Sequence, residues 1–260
     1  TFGNDIEYSA AGFPELDLQG TGVLNVGGQI RRTLTSTTGS LLFGMSGTSS
    51  ILIRGVAPST VRGMLEVTNT GSVFNMSGSP TITLQNAAGV DYGDIYIVPT
   101  TSTVTGGTIQ FGNASTVAAE IFKIISNVSL YNIVVNTTNA PTARLDNFGL
   151  TLLNDLTIQA GAVFNANTLN VNIAGDLINL NVTSTTGTAV GGYRPGSTTQ
   201  TTTFNSSTSN QLITGTATPN RTNFANLVIN NTFGSVTLSA NTAVTVNSEL
   251  TLTNGILADG

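Results

Sequence analysis

The sequence predicts an all-β fold, a right-handed parallel β-helix (β-solenoid), with tandem β-sandwiches as the alternative architecture. Three observations predict it: a gapless internal repeat, apolar residues that alternate with a period of two in short runs, and Asn or Gly at the ends of those runs. Strict alternation marks strands with one buried face. Asn and Gly tolerate left-handed backbone and suit sharp corners.

Composition narrows the choice. Of the 260 residues 39% are hydrophobic and only 8% are charged, against about 25% charged in ordinary soluble domains. Disorder goes with low hydrophobicity and high net charge, which this chain does not have. Its polar residues are Thr, Ser, Asn and Gly rather than Lys and Glu, a mixture suited to short strands and tight turns. Trp is absent and aromatics are few, so the core is expected to be narrow, regular and aliphatic.

Along the chain, residues 1–100 are the least regular and read as cap-like, with IRRTLTSTTGSLLFG and APSTVRGMLEV outside the later pattern. A short motif starting at Phe nevertheless recurs there. Phe43-Gly-Met-Ser-Gly-Thr-Ser-Ser-Ile51 resembles Phe74-Asn-Met-Ser-Gly-Ser-Pro-Thr-Ile82, Phe204 steps likewise to Leu212, and Phe111 begins a looser copy. The nearest approach to a helical period, 117–125, is too short to define a helix.

Residues 110–180 and 204–260 are expected to be repeated modules. Segments 130–166 and 224–260 align without a gap at an offset of 94 (224 − 130, 260 − 166). Asn132, Val134, Asn147, Leu156 and Gly161 recur as Asn226, Val228, Asn241, Leu250 and Gly255, and Leu150, Leu152 and Ile158 recur as Val244, Val246 and Leu252. Rungs of about 20–25 residues would give about ten to thirteen turns and a rod on the order of 50–60 Å long. The stretch 181–203, with Gly191-Gly192-Tyr193-Arg194-Pro195-Gly196, is expected to be a protruding loop exposing Tyr193 and Arg194 for binding.

Several chemistries lack their residues. Histidine is absent, which removes the commonest general base and neutral metal ligand. Cysteine is absent, which removes disulfides and thiolate metal sites. Net charge is −5 with eight Lys plus Arg and no basic stripe, so no nucleic-acid partner is expected. No apolar run approaches the roughly 20 residues that span a bilayer, so this segment is not expected to insert into a membrane. No cofactor and no catalytic residue are assigned.

Few acidic or basic residues remain as candidates. Asp91-Tyr-Gly-Asp94 is a tight acidic pair that fits a Ca²⁺ or sugar site, or simply a turn with Asp at both ends. Arg54 and Arg62 are the candidate lyase arginines, and Arg31-Arg32 the candidate contact for an acidic glycan, with solvated surface as the plainer expectation for all four. Asp5, Glu7, Glu15 and Asp17 are expected to be solvated. The Asn-x-Ser/Thr triplets arise from composition.

The second half carries a family resemblance. FNSSTSNQLITG followed by FANLVINNTFGSVTLSANTAVTVNSELTLTNGILADG is similar to repeats of very large Bacteroidetes cell-surface proteins, which read Phe-Asn, Gln-x-Ile-x-Gly, Phe-x-Asn-Leu-x-Ile-Asn-Asn and then Val-Thr-Leu, Val-Thr-Val and Leu-Thr-Leu-Thr-x-Gly. Phe204, Gln211, Ile213, Gly215, Phe224, Asn226, Leu227, Ile229, Val236, Leu250 and Gly255 carry the match. The resemblance implies cargo of the type IX secretion route and gliding-adhesin-like surface filaments. A structural or adhesive rod segment follows as the expectation, extracellular and excised from a longer chain. Its implied partners are neighbouring segments of that chain, the secretion or surface machinery, and surface glycans. A polysaccharide lyase or hydrolase, or a glycan-binding module, is the alternative.

Overall fold

The computed structural model describes residues 1–9, 12–55, 62–88, 92–136, 138–181, 191–215 and 222–260. All the regular elements among them are strands, and every strand pair is parallel. The chain winds as a three-sided β-solenoid. A first face stacks Ile6–Tyr8, Ile30–Arg32, the starts of Leu65–Met76 and Ile95–Val104, then Ile121–Ser126, Thr142–Leu145, Val163–Asn165 and Tyr193–Arg194. A second face takes Glu15–Leu18, Leu42–Met45 and the ends of the two long strands. Further along, the second face is formed by Leu150–Leu152, Val171–Ile173 and Thr201–Phe204.

The third face gives the clearest column. In register along it stand Leu24, Ile51, Ile82, Ile109, Ile133, Leu156, Leu177, Ile213, Leu238 and Asp259. Ten stacked strands make about nine turns, fewer than the ten to thirteen expected. The reason is rung length: steps run from 21 residues (Leu156 to Leu177) to 36 (Leu177 to Ile213), because connections at the corners vary while the strands do not. At roughly 4.8 Å per rung the stack is about 43 Å tall.

Burial follows the alternation. Ile51, Ile82, Ile109, Ile133, Leu156, Leu177 and Ile213 are at most 2% exposed, and the strand residues beside them face outward. Full burial of such a side chain contributes roughly 1.5–3 kcal/mol. Aromatics stack on the same principle: the Phe43 and Phe74 rings lie 5.3 Å apart and nearly parallel. Phe43 and Phe74 share the second face with Phe204, whereas Phe111 lies on the third, between Leu84 and Val135. In the Phe204 copy the step is nine residues, not eight, so Ile213 turns inward and Leu212 outward.

The repeat at offset 94 has an unexpected placement. Leu150 and Leu156 lie on the second and third faces. Their counterparts Val244 and Leu250 lie one face earlier, since Val244 pairs with Thr222 at the start of its long strand and Leu250 continues the second face. The copies therefore share strand lengths and spacings but are rotated by one side. The recurring unit is a strand with its corner, found on two neighbouring sides in its two copies.

Corners are built as the Asn content implies. Asn147 and Asn241 adopt positive φ, 69° and 63°. Within Leu65–Met76 the strand bends from the first face to the second through Asn69 and Gly71, both at positive φ, where the register shifts. The segment 117–125 is not helical, and Ile121–Ser126 is a strand.

Leu156→Ala is expected to destabilise the fold by about 2–5 kcal/mol through the cavity it opens. Thr157→Ala, which faces outward on the same strand, should change stability by no more than about 0.5 kcal/mol. Chemical denaturation of both variants checks the inward assignment, and equal losses would contradict it.

Candidate functional site

Polar side chains gather in two places near the first rungs. The first is a buried ionic cluster on the first face. Arg32 Nε donates to Glu66 Oε1 at 2.5 Å, and Arg62 Nη1 donates to the same oxygen at 3.1 Å. The Tyr92 hydroxyl adds a third bond to Glu66 Oε1 at 3.1 Å, and Tyr8 donates to the Glu66 carbonyl at 2.7 Å. Glu66 is fully buried, and both arginines are buried with it. Their remaining donors hold the connection at 33–41: Arg62 Nη2 reaches Ser36 O at 2.6 Å and Arg32 Nη1 reaches Thr37 O at 2.9 Å. Arg62 also packs over the Tyr92 ring, 5.4 Å from its centroid.

The electrostatics of the cluster are self-contained. Burial works against the charge of Arg32, but the adjacent Glu66 carboxylate more than offsets it and raises the guanidinium pKa. Burial, then Glu66, raises the Tyr8 and Tyr92 phenols, so both stay protonated. Beside the cluster, Arg31 pairs with Asp5 and Glu7, each at 2.6 Å. Arg31, Arg32 and Arg62 are thus not solvated surface: Arg31 and Arg32 are buried against carboxylates tens of residues away in sequence, and Arg62 against Glu66 four residues on. Arg54 is exposed, as expected.

Asp94 is buried as well. Its carboxylate accepts the backbone N–H groups of Ala88 (2.5 Å) and Lys123 (2.7 Å), and its carbonyl receives those of Met64 and Leu65. It pins three successive rungs together. Burial pushes its pKa up to about 7, overcoming the two N–H donors that favour the charged form. Asp91, its expected partner, lies outside the described residues. Among the described residues no group of His, Cys, Asp and Glu has the spacing of a metal site.

Tyr193 is a correction. It is a core residue, not an exposed one: its ring lies 5.9 Å from Phe164 and 5.4 Å from Phe224, and its hydroxyl bonds Thr202 Oγ1 at 2.6 Å. The strand Tyr193–Arg194 pairs with Val163–Asn165, so these residues close a rung. Arg194 is partly buried and donates from Nε to the Gly191 carbonyl. Residues 182–190 of the expected loop lie outside the described residues.

The second place is an open groove of about 350 Å³ on the outer side of the second face. Across its floor Asp17, Gly44 and Asn75 stand in register, one per rung, and Thr103 is next in the same column. A Cβ at Gly44 would sit 2.7 Å from Asp17 Oδ1, so any larger residue there would displace the Asp17 carboxylate. Glu15, exposed and two residues from Asp17, points to the same side, with Ser46 and Ser77 completing the polar lining. Their solvation matches expectation, but they lie on a strand and line a groove that sequence reading missed. Among the described residues no cation lines it, and both carboxylates are solvent-exposed. Such a surface can accept hydrogen bonds from hydroxyls.

No protein family, curated protein or solved structure matches the chain.

Glu66→Gln leaves two buried guanidinium groups without their counter-charge and is expected to cost about 3–5 kcal/mol. A variant as heat-stable as the parent would show that the cluster does not hold the 33–41 connection. Asp94 sets a pH dependence. Its folded pKa of about 7 lies above the unfolded carboxylate value, so the native state binds more protons between the two. Its contribution is fully present below about pH 4 and is lost as pH rises through 7. Asp94→Asn should flatten that part of the stability–pH curve, and an unchanged slope would assign it to other groups.

Proposed function

We propose that the chain is a structural and adhesive rod segment of a large extracellular bacterial surface protein, and not an enzyme. One observation carries this reading: nine successive rungs share an aliphatic column from Leu24 to Leu238, while polar side chains are used mainly to hold one rung to the next. Asn132 Oδ1 accepts the Asp155 N–H, Asp155 Oδ1 the Asp176 N–H, and Asp176 Oδ1 the Leu212 N–H, at 3.0, 2.7 and 2.8 Å. A corner of this kind transmits load from rung to rung, and solenoid stability is roughly additive over neighbours.

The residues from Phe204 to Gly255 that resemble Bacteroidetes surface repeats support export by the type IX route and a cell-surface location. They make neighbouring segments of a long chain, or the surface machinery, the expected partners. Surface glycans are a second class of partner, favoured by the groove at Glu15, Asp17 and Asn75. The reading there is passive recognition.

Incubation with a panel of neutral and acidic polysaccharides is expected to release no reducing ends and no unsaturated uronides. Turnover that disappears in Glu15→Gln or Asp17→Asn would overturn the non-catalytic reading. On a glycan array the same two substitutions should weaken any binding several-fold.

A further inference from the structure

The groove on the second face has donors and acceptors at opposite ends of its floor. Asp17 Oδ2 accepts from Gln19 Nε2, while Oδ1 lies over Gly44, so near that a Cβ there would sit 2.7 Å away. Among the described residues neither Asp17 nor Glu15 pairs with a cation. Two rungs along, about 10 Å away at the stacking distance, Asn75 Oδ1 accepts the Thr103 N–H at 2.9 Å, which leaves the Asn75 amide N–H groups to the groove. Leu42 and Val73, half-buried and outward, supply the apolar part of the lining.

Phe13 stands beside this floor, two residues before Glu15. Its ring packs over Gly71, itself two residues before Val73, and the residue is 63% exposed. An open aromatic surface next to a few hydrogen-bonding groups suits the C–H face of a sugar ring. The same floor suits a peptide poorly. Leu42–Met45 is paired on both sides, with Glu15–Leu18 and with Leu65–Met76, so it has no main-chain edge to which a peptide strand could add. A lysine ammonium carries donors only and cannot serve the Asn75 amide, whereas hydroxyls both donate and accept.

We propose that the groove binds a glycan with free amino groups, a chain of hexosamine units that carry no acyl group on nitrogen. A protonated amine sits at Asp17 Oδ1 with Glu15 beside it, a hydroxyl accepts from the Asn75 amide, and a neighbouring sugar ring lies on Phe13. The proposal rests on the glycan reading of the groove and names the class of glycan. Charge decides the class: two carboxylates without a cation repel uronic acids, and a neutral sugar leaves them uncompensated. Gly44 is the selective element, because it lets Asp17 Oδ1 lie over the floor.

The test compares two hexasaccharides of one backbone, β-linked glucosamine and its fully N-acetylated form, by calorimetry with the full chain at low salt and mildly acidic pH. The amine form is expected to bind roughly fivefold more tightly. That preference should vanish in Asp17→Asn, and also in Gly44→Ala, which keeps both carboxylates but displaces one. Phe13→Ala should weaken both sugars several-fold. These positions face outward, and unchanged denaturation midpoints show that the variants fold. Equal affinity for the two hexasaccharides overturns the amine assignment and leaves the glycan reading standing. A preference that survives Gly44→Ala is bulk charge attraction and overturns the site. A lysine hexapeptide that binds more tightly than the amino sugar, and loses its binding in Asp17→Asn, replaces the glycan by a basic peptide. Binding of neither hexasaccharide overturns the proposal, and the glycan reading falls with it only if every glycan on the array also fails.

Discussion

Everything in this solenoid depends on one constraint: each strand bonds through its backbone to the rung before and the rung after, so identical positions stack about 4.8 Å apart. An inward side chain then has no access to water and rests on its counterparts above and below. That is why the third face holds Ile or Leu at the same place from Leu24 to Leu238, broken only by corner insertions. Among the described residues the one polar residue in the adjacent inward column, Asn179, donates from its amide to Thr222 Oγ1 at 3.0 Å while its Oδ1 stays buried without a partner. A polar group in such a column needs a partner from a neighbouring rung, since solvent cannot supply one.

The same constraint explains what could be read from the sequence. Period-two alternation is local, so the strands around Ile133, Leu150, Leu156, Val171 and Leu177 were legible, and so were the Asn corners. Face assignment is not local. It depends on summed connection lengths, and a 36-residue step between Leu177 and Ile213 displaces everything after it. Tyr193 looked like a loop residue because glycines surround it and few apolar residues flank it. Stacking between Phe164 and Phe224 is a contact over about thirty residues either way, and no motif announces it.

The ionic cluster was illegible for a related reason. Glu66 sits at an outward position between Leu65 and Val67, where alternation assigns it to water. Arg32 reaches it across one rung, Arg62 from the corner before it, and Tyr92 from the corner after it. The connection at 33–41 then folds over the outward side and excludes solvent. Outward positions of a solenoid are solvated only while the corners are short. The early turns, with steps of 27 to 31 residues, have corners long enough to cover them.

This difference divides labour along the rod. In the later turns most steps run from 21 to 25 residues, apart from the 36-residue step at Leu177, and polar side chains such as Asn132, Asp155 and Asp176 form corner ladders from rung to rung. In the early turns the long corners bury charge on the first face and leave a shaped groove on the second. Specific recognition calls for a feature that does not repeat, because a surface repeating every rung offers the same contact at every register. The groove floor of Asp17, Gly44 and Asn75 changes from rung to rung and meets that requirement, whereas the repeated later turns do not. A ligand that must bind at one place is therefore better placed on the first four rungs, and the later ones are suited to extension.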